Sequence, residues 1–341
     1  MSHNIKVMIA GVGGASLGTE IYKSLRLAGG YEIFGCDISK TAYGLYESDF
    51  AKTWRVSRDD YVSSVTNACI ESGAKILIPG GEQPMTLLGA ATEQLSAAGI
   101  KLLSNSPAVV SLYSDKGKAF ESLAKAGIPI PRTITVTTKH DLDQVGLPCI
   151  IKPSTGSGGS AAVFFAVNTD EAMIYAEFIR RTGSAAVAQE YVDDQEGEYT
   201  IGVLSLPDQY VVGSIALRRA LEAKLSVAYR GRGGLVSSGY SQGHIDEYRD
   251  LCQQAERIAD AIGSCGPINI QGRVRDGLLL PFEINPRFSA STYLRAMAGF
   301  NEVDIMLRYL DGGVVPHRPI IRPGWYLRSL TERFVSNENL K

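Results

Sequence analysis

Residues 266–291 read GPINIQGRVRDGLLLPFEINPRFSAS, and this stretch decides the fold. Ile268, Ile270 and Val274 alternate with Asn269, Gln271, Arg273 and Arg275, and Phe282 and Ile284 alternate with Glu283, Asn285 and Arg287. That is the period-two pattern of paired strands with one apolar face and one polar face. Asp276-Gly277 marks the turn between them. Glu283 and Asn285 are two apart, so they project to the same side, and their oxygens suit a hard divalent cation. A two-residue turn would set Gln271 opposite Phe282, so an odd number of loop residues is expected if Gln271 is to share that face. Taken alone, the pattern also describes the solvated polar side of an edge hairpin.

Upstream, the chain opens with a short apolar run, Ile5 to Ala10, the loop GVGGASLG (11–18), a helix-like stretch to Leu27 and a second strand, Glu32 to Cys36, ending at Asp37. A helix-like stretch from Tyr61, the buried-strand run AKILIPGGE (74–82), a helix to Ala98 and a short strand from Lys101 to Leu103 complete a small doubly wound α/β unit. The character changes near Ser104, where two short helical patterns are closed by Gly127, Pro129 and Pro131. Strand LPCIIK (147–152), loop PSTGSGGSA (153–161), strand AVFFAV (162–167), a helix from Asp170 to Arg181 and strand AAVAQEYV (185–192) indicate an α+β unit. Beyond Glu198 come a hairpin turning at Pro-Asp-Gln, a long loop to about Gly243 and an amphipathic helix from Asp246 to Ile262. The expected fold is therefore α/β and α+β. Residues 1–104 form a Rossmann-like domain, and residues 105–330 a second domain with a lid (about 117–190) and a C-terminal subdomain (about 191–312).

With 341 residues, 45% of them hydrophobic, the chain can bury two or three packed units. Lysine plus arginine number 34 against 36 acidic residues, which gives no basic field for a polyanion and argues against nucleic acid. The five scattered cysteines form no C-x-x-C pair and read as reduced thiols of a cytoplasmic protein. No stretch has the length of a membrane span. His3, His140, His244 and His317 lack metal spacing, and no serine or cysteine sits in a nucleophile elbow.

FEINPRFSAS, following a strand that carries Gln271, closely resembles the metal-binding segment of ATP-grasp enzymes, in particular the synthetase domains of carbamoyl phosphate synthetase. The resemblance implies that Gln271, Glu283 and Asn285 hold magnesium or manganese, two ions in all, across the ATP phosphates. It also implies that Arg287 contacts the γ-phosphate or acyl phosphate. PCIIKPSTGSGGSA (148–161) is not a Walker A loop, because Lys152 precedes the glycines and a strand follows. It resembles the ATP-grasp lid, which implies phosphate contact by Lys152 and closure by Thr155 to Ser160, with Gly156, Ser157, Gly158 and Gly159 at its tip. In AQEYVDDQEGEY (188–199) the same resemblance assigns adenine to Glu190, Tyr191 and Val192, and the ribose hydroxyls to Glu198. Lys116 resembles the other ATP-contacting lysine, and the likeness extends to about Gly312. Residues 1–104 then correspond to the Rossmann-like domain that precedes the ATP-grasp fold. As structural alternatives, the glycine loop is a bare flexible hairpin and Glu190 and Glu198 are solvated turn acids.

The family likeness implies a stand-alone carboxylate–amine ligase. It would take ATP and small-molecule carboxylate and amine substrates, and a homodimer is the default assembly. Three rivals compete with it: carbamoyl phosphate formation from bicarbonate, a non-catalytic ATP-binding regulatory protein, and an NAD-dependent oxidoreductase. SSGYSQGHI (237–245) replaces the His-Thr-Gly-Asp segment of the carbamoyl phosphate enzymes, which weighs against bicarbonate. GVGGASLG fails G-x-G-x-x-G because Ser16 stands where glycine is needed, which weighs against NAD. Gly80, Gly81 and Glu82 are expected to line the substrate cleft, although Glu82 equally suits a helix N-terminus. Among Arg218, Arg219, Lys224, Arg230 and Arg232, the strand-end pair Arg218 and Arg219 is expected to bind the acyl substrate.

Overall fold

The computed structural model describes residues 4–14, 17–155, 162–231, 233–313 and 320–341. The opening apolar run is β1 (Ile5–Ala10), followed by α1 (Leu17–Ala28), β2 (Tyr31–Asp37), β3 (Lys52–Arg55), α2 (Tyr61–Ser72), β4 (Ile76–Pro79), α3 (Glu82–Ala90), α4 (Thr92–Ala97) and β5 (Lys101–Leu102). These strands form a parallel sheet in the order β3-β2-β1-β4-β5, as a doubly wound domain requires. β3 escaped the sequence reading because its four residues show no alternation. Ser104 falls in the connection between β5 and α5 (Pro107–Tyr113).

Ser106 caps α5 and Asp115 caps α6 (Lys116–Lys125), each accepting a hydrogen bond from the third backbone N–H beyond it. The lid is a four-stranded sheet ordered β6-β9-β7-β8, built from β6 (Thr133–Thr135), β7 (Cys149–Pro153), β8 (Phe164–Ala166) and β9 (Ala186–Glu190), and it is covered by α7 (Thr169–Arg181). Residues 117–125, expected in the lid, belong to α6 instead. Its Phe120 and Leu123 pack with Tyr199 and Ile201 in the core of the next sheet.

That sheet comprises β10 (Glu198–Ser205), β11 (Val211–Arg219), β14 (Gly243–Asp246), β15 (Pro267–Arg275), β16 (Leu278–Asn285) and β17 (Gly324–Tyr326), in the order β16-β15-β10-β11-β14-β17. The expected loop before Gly243 contains a small hairpin, β12 (Val227–Gly231) and β13 (Gly234–Ser237). α8 (Arg249–Ala261), α5 and α6 cover one face of the large sheet through Ile201, Val203, Ile268, Ile270 and Ile284. The other face is divided. Leu204, Ile215 and Leu217 pack with α1 of the N-terminal domain and with α9 (Thr292–Met297) and α10 (Glu302–Gly312), while the opposite end carries the polar residues of the site.

The odd loop is overturned. Arg275 pairs with Leu278 across a two-residue turn, Asp276 (φ 53°) and Gly277 (φ 72°), the left-handed pair that Asp-Gly favours. Gly272 pairs with Pro281 but Gln271 pairs with Glu283, so Phe282 is an extra residue in a β-bulge. The bulge, not the turn, brings Gln271 opposite Glu283.

The final segment runs back over the N-terminal domain. Arg328 lies 3.0 Å from Glu20, Arg333 lies 3.1 Å from Glu47, and Lys341 Nζ donates to Thr53 O at 2.8 Å. Among the described residues, no helix is long and apolar enough to cross a membrane.

Candidate active site

The floor of the site is the polar face of β15 and β16. Gln271 Nε2 donates to Glu283 Oε2 at 3.0 Å, and Asn285 Oδ1 lies 3.4 Å from Arg287 Nη2. The bulge presents the Phe282 carbonyl to the lid, where Lys152 Nζ donates to it at 2.8 Å and to Gln189 Oε1 at 2.8 Å. Lys152 is 4% exposed, and its ammonium lies 5.1 Å from the centre of the Phe120 ring. Burial first, then the nearby charge of Lys116, push it down to about 7, with Glu283 opposing. Lys116 itself is tied to the lid strand, because its backbone N–H donates to Ser154 O at 2.8 Å and Ser154 Oγ donates to Asp115 at 2.6 Å.

Behind the floor, Glu198 is 1% exposed and sits between two arginines, with Arg273 Nε at 2.9 Å and Arg219 Nη1 at 3.3 Å. Its Oε1 has no hydrogen-bond partner among the described residues. Arg273 also donates to Val192 O (2.6 Å) and Leu235 O (2.9 Å), and its guanidinium lies 4.9 Å from the Tyr191 ring centre. Tyr191 Oη accepts from Leu235 N–H at 3.0 Å, which joins the β9 end to β13. The cleft, about 690 Å³ of space that opens to solvent, lies between the lid and the large sheet.

Of the residues singled out in the sequence, Lys116, Lys152, Glu190, Tyr191, Val192, Glu198, Gln271 and Glu283 line this cleft. Glu82, Asn285, Lys116 and Glu283 line an adjoining hollow, and Arg287 joins the two domains through a 2.8 Å ion pair with Glu82 at the start of α3. Gly156, Ser157, Gly158 and Gly159 lie outside the described residues. Two assignments change. The Glu190 carboxylate, which the resemblance assigned to adenine, is engaged by Arg132 (3.2 Å) and Arg275 (2.7 Å). Arg218 points to the α8 side of β11, away from the cleft, because alternation places it opposite Arg219. Arg219 faces the cleft side but is buried, donating to Ser226, Ser238 and Tyr240 carbonyls, so it braces Glu198 and the 237–243 loop.

A family model described as an ATP-grasp domain matches residues 113–291. The chain belongs to the ATP-grasp family. Over 237 residues it is 26% identical to the carbamoyl phosphate synthase large chain of Mycobacterium sp. (strain JLS), a match covering 67% of this chain and 20% of that protein. The chain thus spans about a fifth of the curated relatives it matches. The ATP-grasp fold also matches a Campylobacter jejuni biotin carboxylase–β,γ-ATP complex with TM-score 0.70 and 18% identity, covering 93% of this chain and 74% of that one. An L-amino acid ligase from Bacillus licheniformis matches with TM-score 0.65 and 16% identity, covering 95% and 78%.

Two residues of this ATP-grasp cleft, Arg273 and Gln189, went unassigned in the sequence. Arg273 stands two residues from Gln271 in the same alternation, so its face was readable; its three partners come from distant segments and were not. Among the described residues no three His, Cys, Asp or Glu side chains cluster. One carboxylate with two amide groups on one face still fits magnesium, which takes one or two carboxylates and leaves its other positions to phosphate oxygens and water.

Proposed function

We propose that this chain is an ATP-dependent ligase that phosphorylates a substrate carboxylate to an acyl phosphate and couples it to an amine. The observation that carries the reading is the convergence on one cleft of Lys116 and Lys152 with the oxygen ligands of β15 and β16. A carboxylate oxygen attacks the γ-phosphorus, the bond to the bridging oxygen breaks and ADP leaves. The amine nitrogen then attacks the acyl carbon, loses a proton and expels phosphate. Gln271, Glu283 and Asn285 would hold magnesium or manganese, whose positive charge would offset that of the phosphates.

The chain's own groups do the rest. Lys152 and Lys116 offer cationic donors to the phosphates, fixed in place by the bulge carbonyl and by Ser154. The backbone near Tyr191 and Val192 borders the adenine end, and Glu198 Oε1, which faces Arg219 Nη1 at 3.3 Å but takes no hydrogen bond among the described residues, can accept a ribose hydroxyl. Arg287 Nε is buried without an acceptor among the described residues, so it keeps one N–H for a phosphoryl oxygen.

Magnesium-dependent ADP release, measured with amino acids, hydroxy acids and bicarbonate, each with and without ammonia or a second amino acid, tests the reading. Release should require both an acid and an amine and should fall at least about a hundredfold in Glu283→Ala. Release with bicarbonate alone, or nucleotide binding with no release on any acid, would overturn it.

A further inference from the structure

Further hollows adjoin the cleft past Glu283. The nucleotide cleft shares Lys116 and Glu283 with the hollow beside Glu82, and that hollow shares Gln83 with a third, of about 730 Å³, at the carboxyl ends of β1 and β4. The third shares Ile38 and Arg58 with a basic mouth where Lys40 and Arg55 also stand. The strand order puts the third hollow at the switch point between β1 and β4, where open α/β sheets bind ligands.

A dinucleotide does not suit it. The glycines there are spent on close packing of the backbone: a Cβ at Gly18 would sit 1.8 Å from Gly11 O, and one at Gly80 would sit 2.0 Å from the same atom. Asp37, which would meet a ribose in a dinucleotide site, accepts from the Val12 and Ser39 N–H groups at 2.9 Å each. What remains is an apolar slot walled by Ile38, Tyr61, Pro84 and Leu87, leading to a cationic mouth. Lys40, Arg55 and Arg58 are exposed and have no ion pair among the described residues, and Asp59 is the single acid lining that mouth. Arginine forks without a partner are suited to carboxylate or phosphate.

We propose that the switch-point hollow is a distal substrate subsite. It takes a substrate whose reacting group lies between Arg287 and Glu283 and whose far end is an anion, phosphate or carboxylate, held by Arg58 and its neighbours. The first two turns of α3 separate the two ends, with Glu82 and Thr86 on one side and Pro84 and Leu87 on the other. The joining segment of the substrate is therefore apolar and roughly 10 Å long, the width of a helix. The inference rests on the ligase reading for what reacts, but not for what binds.

Calorimetric titration with phenylphosphonate, the nucleotide cleft being filled with Mg-ADP, tests the binding alone. The expected result is binding that weakens at least about tenfold in Arg58→Ala and further in Arg55→Ala/Arg58→Ala, with unchanged melting temperature. Benzyl alcohol and inorganic phosphate, each lacking one half of the ligand, should bind at least about tenfold more weakly than phenylphosphonate. Equal affinity of wild type and Arg58→Ala, or phosphate binding as tightly as phenylphosphonate, would overturn the subsite. In the ADP-release assay, Arg58→Ala should raise KM about tenfold for acids or amines with a distal anion and leave kcat and the uncharged analogues unchanged. A chain that releases no ADP on any substrate yet binds phenylphosphonate through Arg58 would sink the ligase reading and keep the subsite.

Discussion

Lys152 carries the sharpest electrostatic consequence at the scale of single residues. Its neighbours are a carbonyl, an amide oxygen and an aromatic face, none of which supplies full compensating charge, so its pKa falls from 10.5 to about 7. Phosphate oxygens favour the charged form and raise that value on binding. Above pH 7 the free protein holds the neutral amine and the complex the ammonium, so nucleotide binding takes up a proton and weakens as pH rises. Titrating ATP at pH 8 in two buffers of different ionisation enthalpy should show an uptake approaching one proton, lost in Lys152→Met; no buffer dependence in wild type would count against the role. The position of Lys152 was legible because it ends an apolar strand before glycines. The division between Arg218 and Arg219 was not, because the parity of a strand against its cleft depends on partners far away in the chain.

The bulge in β16 belongs to the scale of elements. Removing Phe282 should leave a regular hairpin, since Gly272–Pro281 and Gln271–Glu283 would then be consecutive pairs. The fold should survive, but the carbonyl that holds Lys152 would be lost, and nucleotide affinity should fall about tenfold, more than in Phe282→Ala, which keeps the backbone. Circular dichroism and nucleotide titration check both halves; wild-type affinity in the deletion would refute the anchor. The two strands, their turn and the shared face were readable from alternation and from Asp-Gly. The bulge was not, because a single inserted residue alters the parity without leaving a compositional mark. β12 and β13 were hidden for a related reason: a glycine- and arginine-rich stretch shows no alternation until β8 and β9 give it something to pack on, as Phe165 does for Tyr229 and Tyr191 does for Leu235.

Seen as a whole molecule, the lid has its own core, whereas the N-terminal domain and the large sheet share one. The doubly wound class of the first domain and the two-part ATP-grasp unit were legible in the sequence, but the full strand order, this shared core and the returning C-terminal segment were not, since none of them leaves a local pattern. Arg328 holds Glu20, a carboxylate 1% exposed, with Lys23 as its second ion-pair partner among the described residues. Arg328→Met should cost about 3 kcal/mol in urea unfolding while leaving amide exchange in the lid unchanged. Loss of lid protection in that variant would show that the lid is not a separate cooperative unit. The same contact has a meaning during synthesis. The apolar side of α1 and the charge of Glu20 leave the ribosome about 300 residues before Arg328, which at cellular elongation rates is roughly 15–60 s. The apolar side of α1 stays uncovered until α9 and α10 are made, and Glu20 lacks its arginine for the whole interval, so the nascent chain presents a chaperone with an apolar face beside a bare carboxylate.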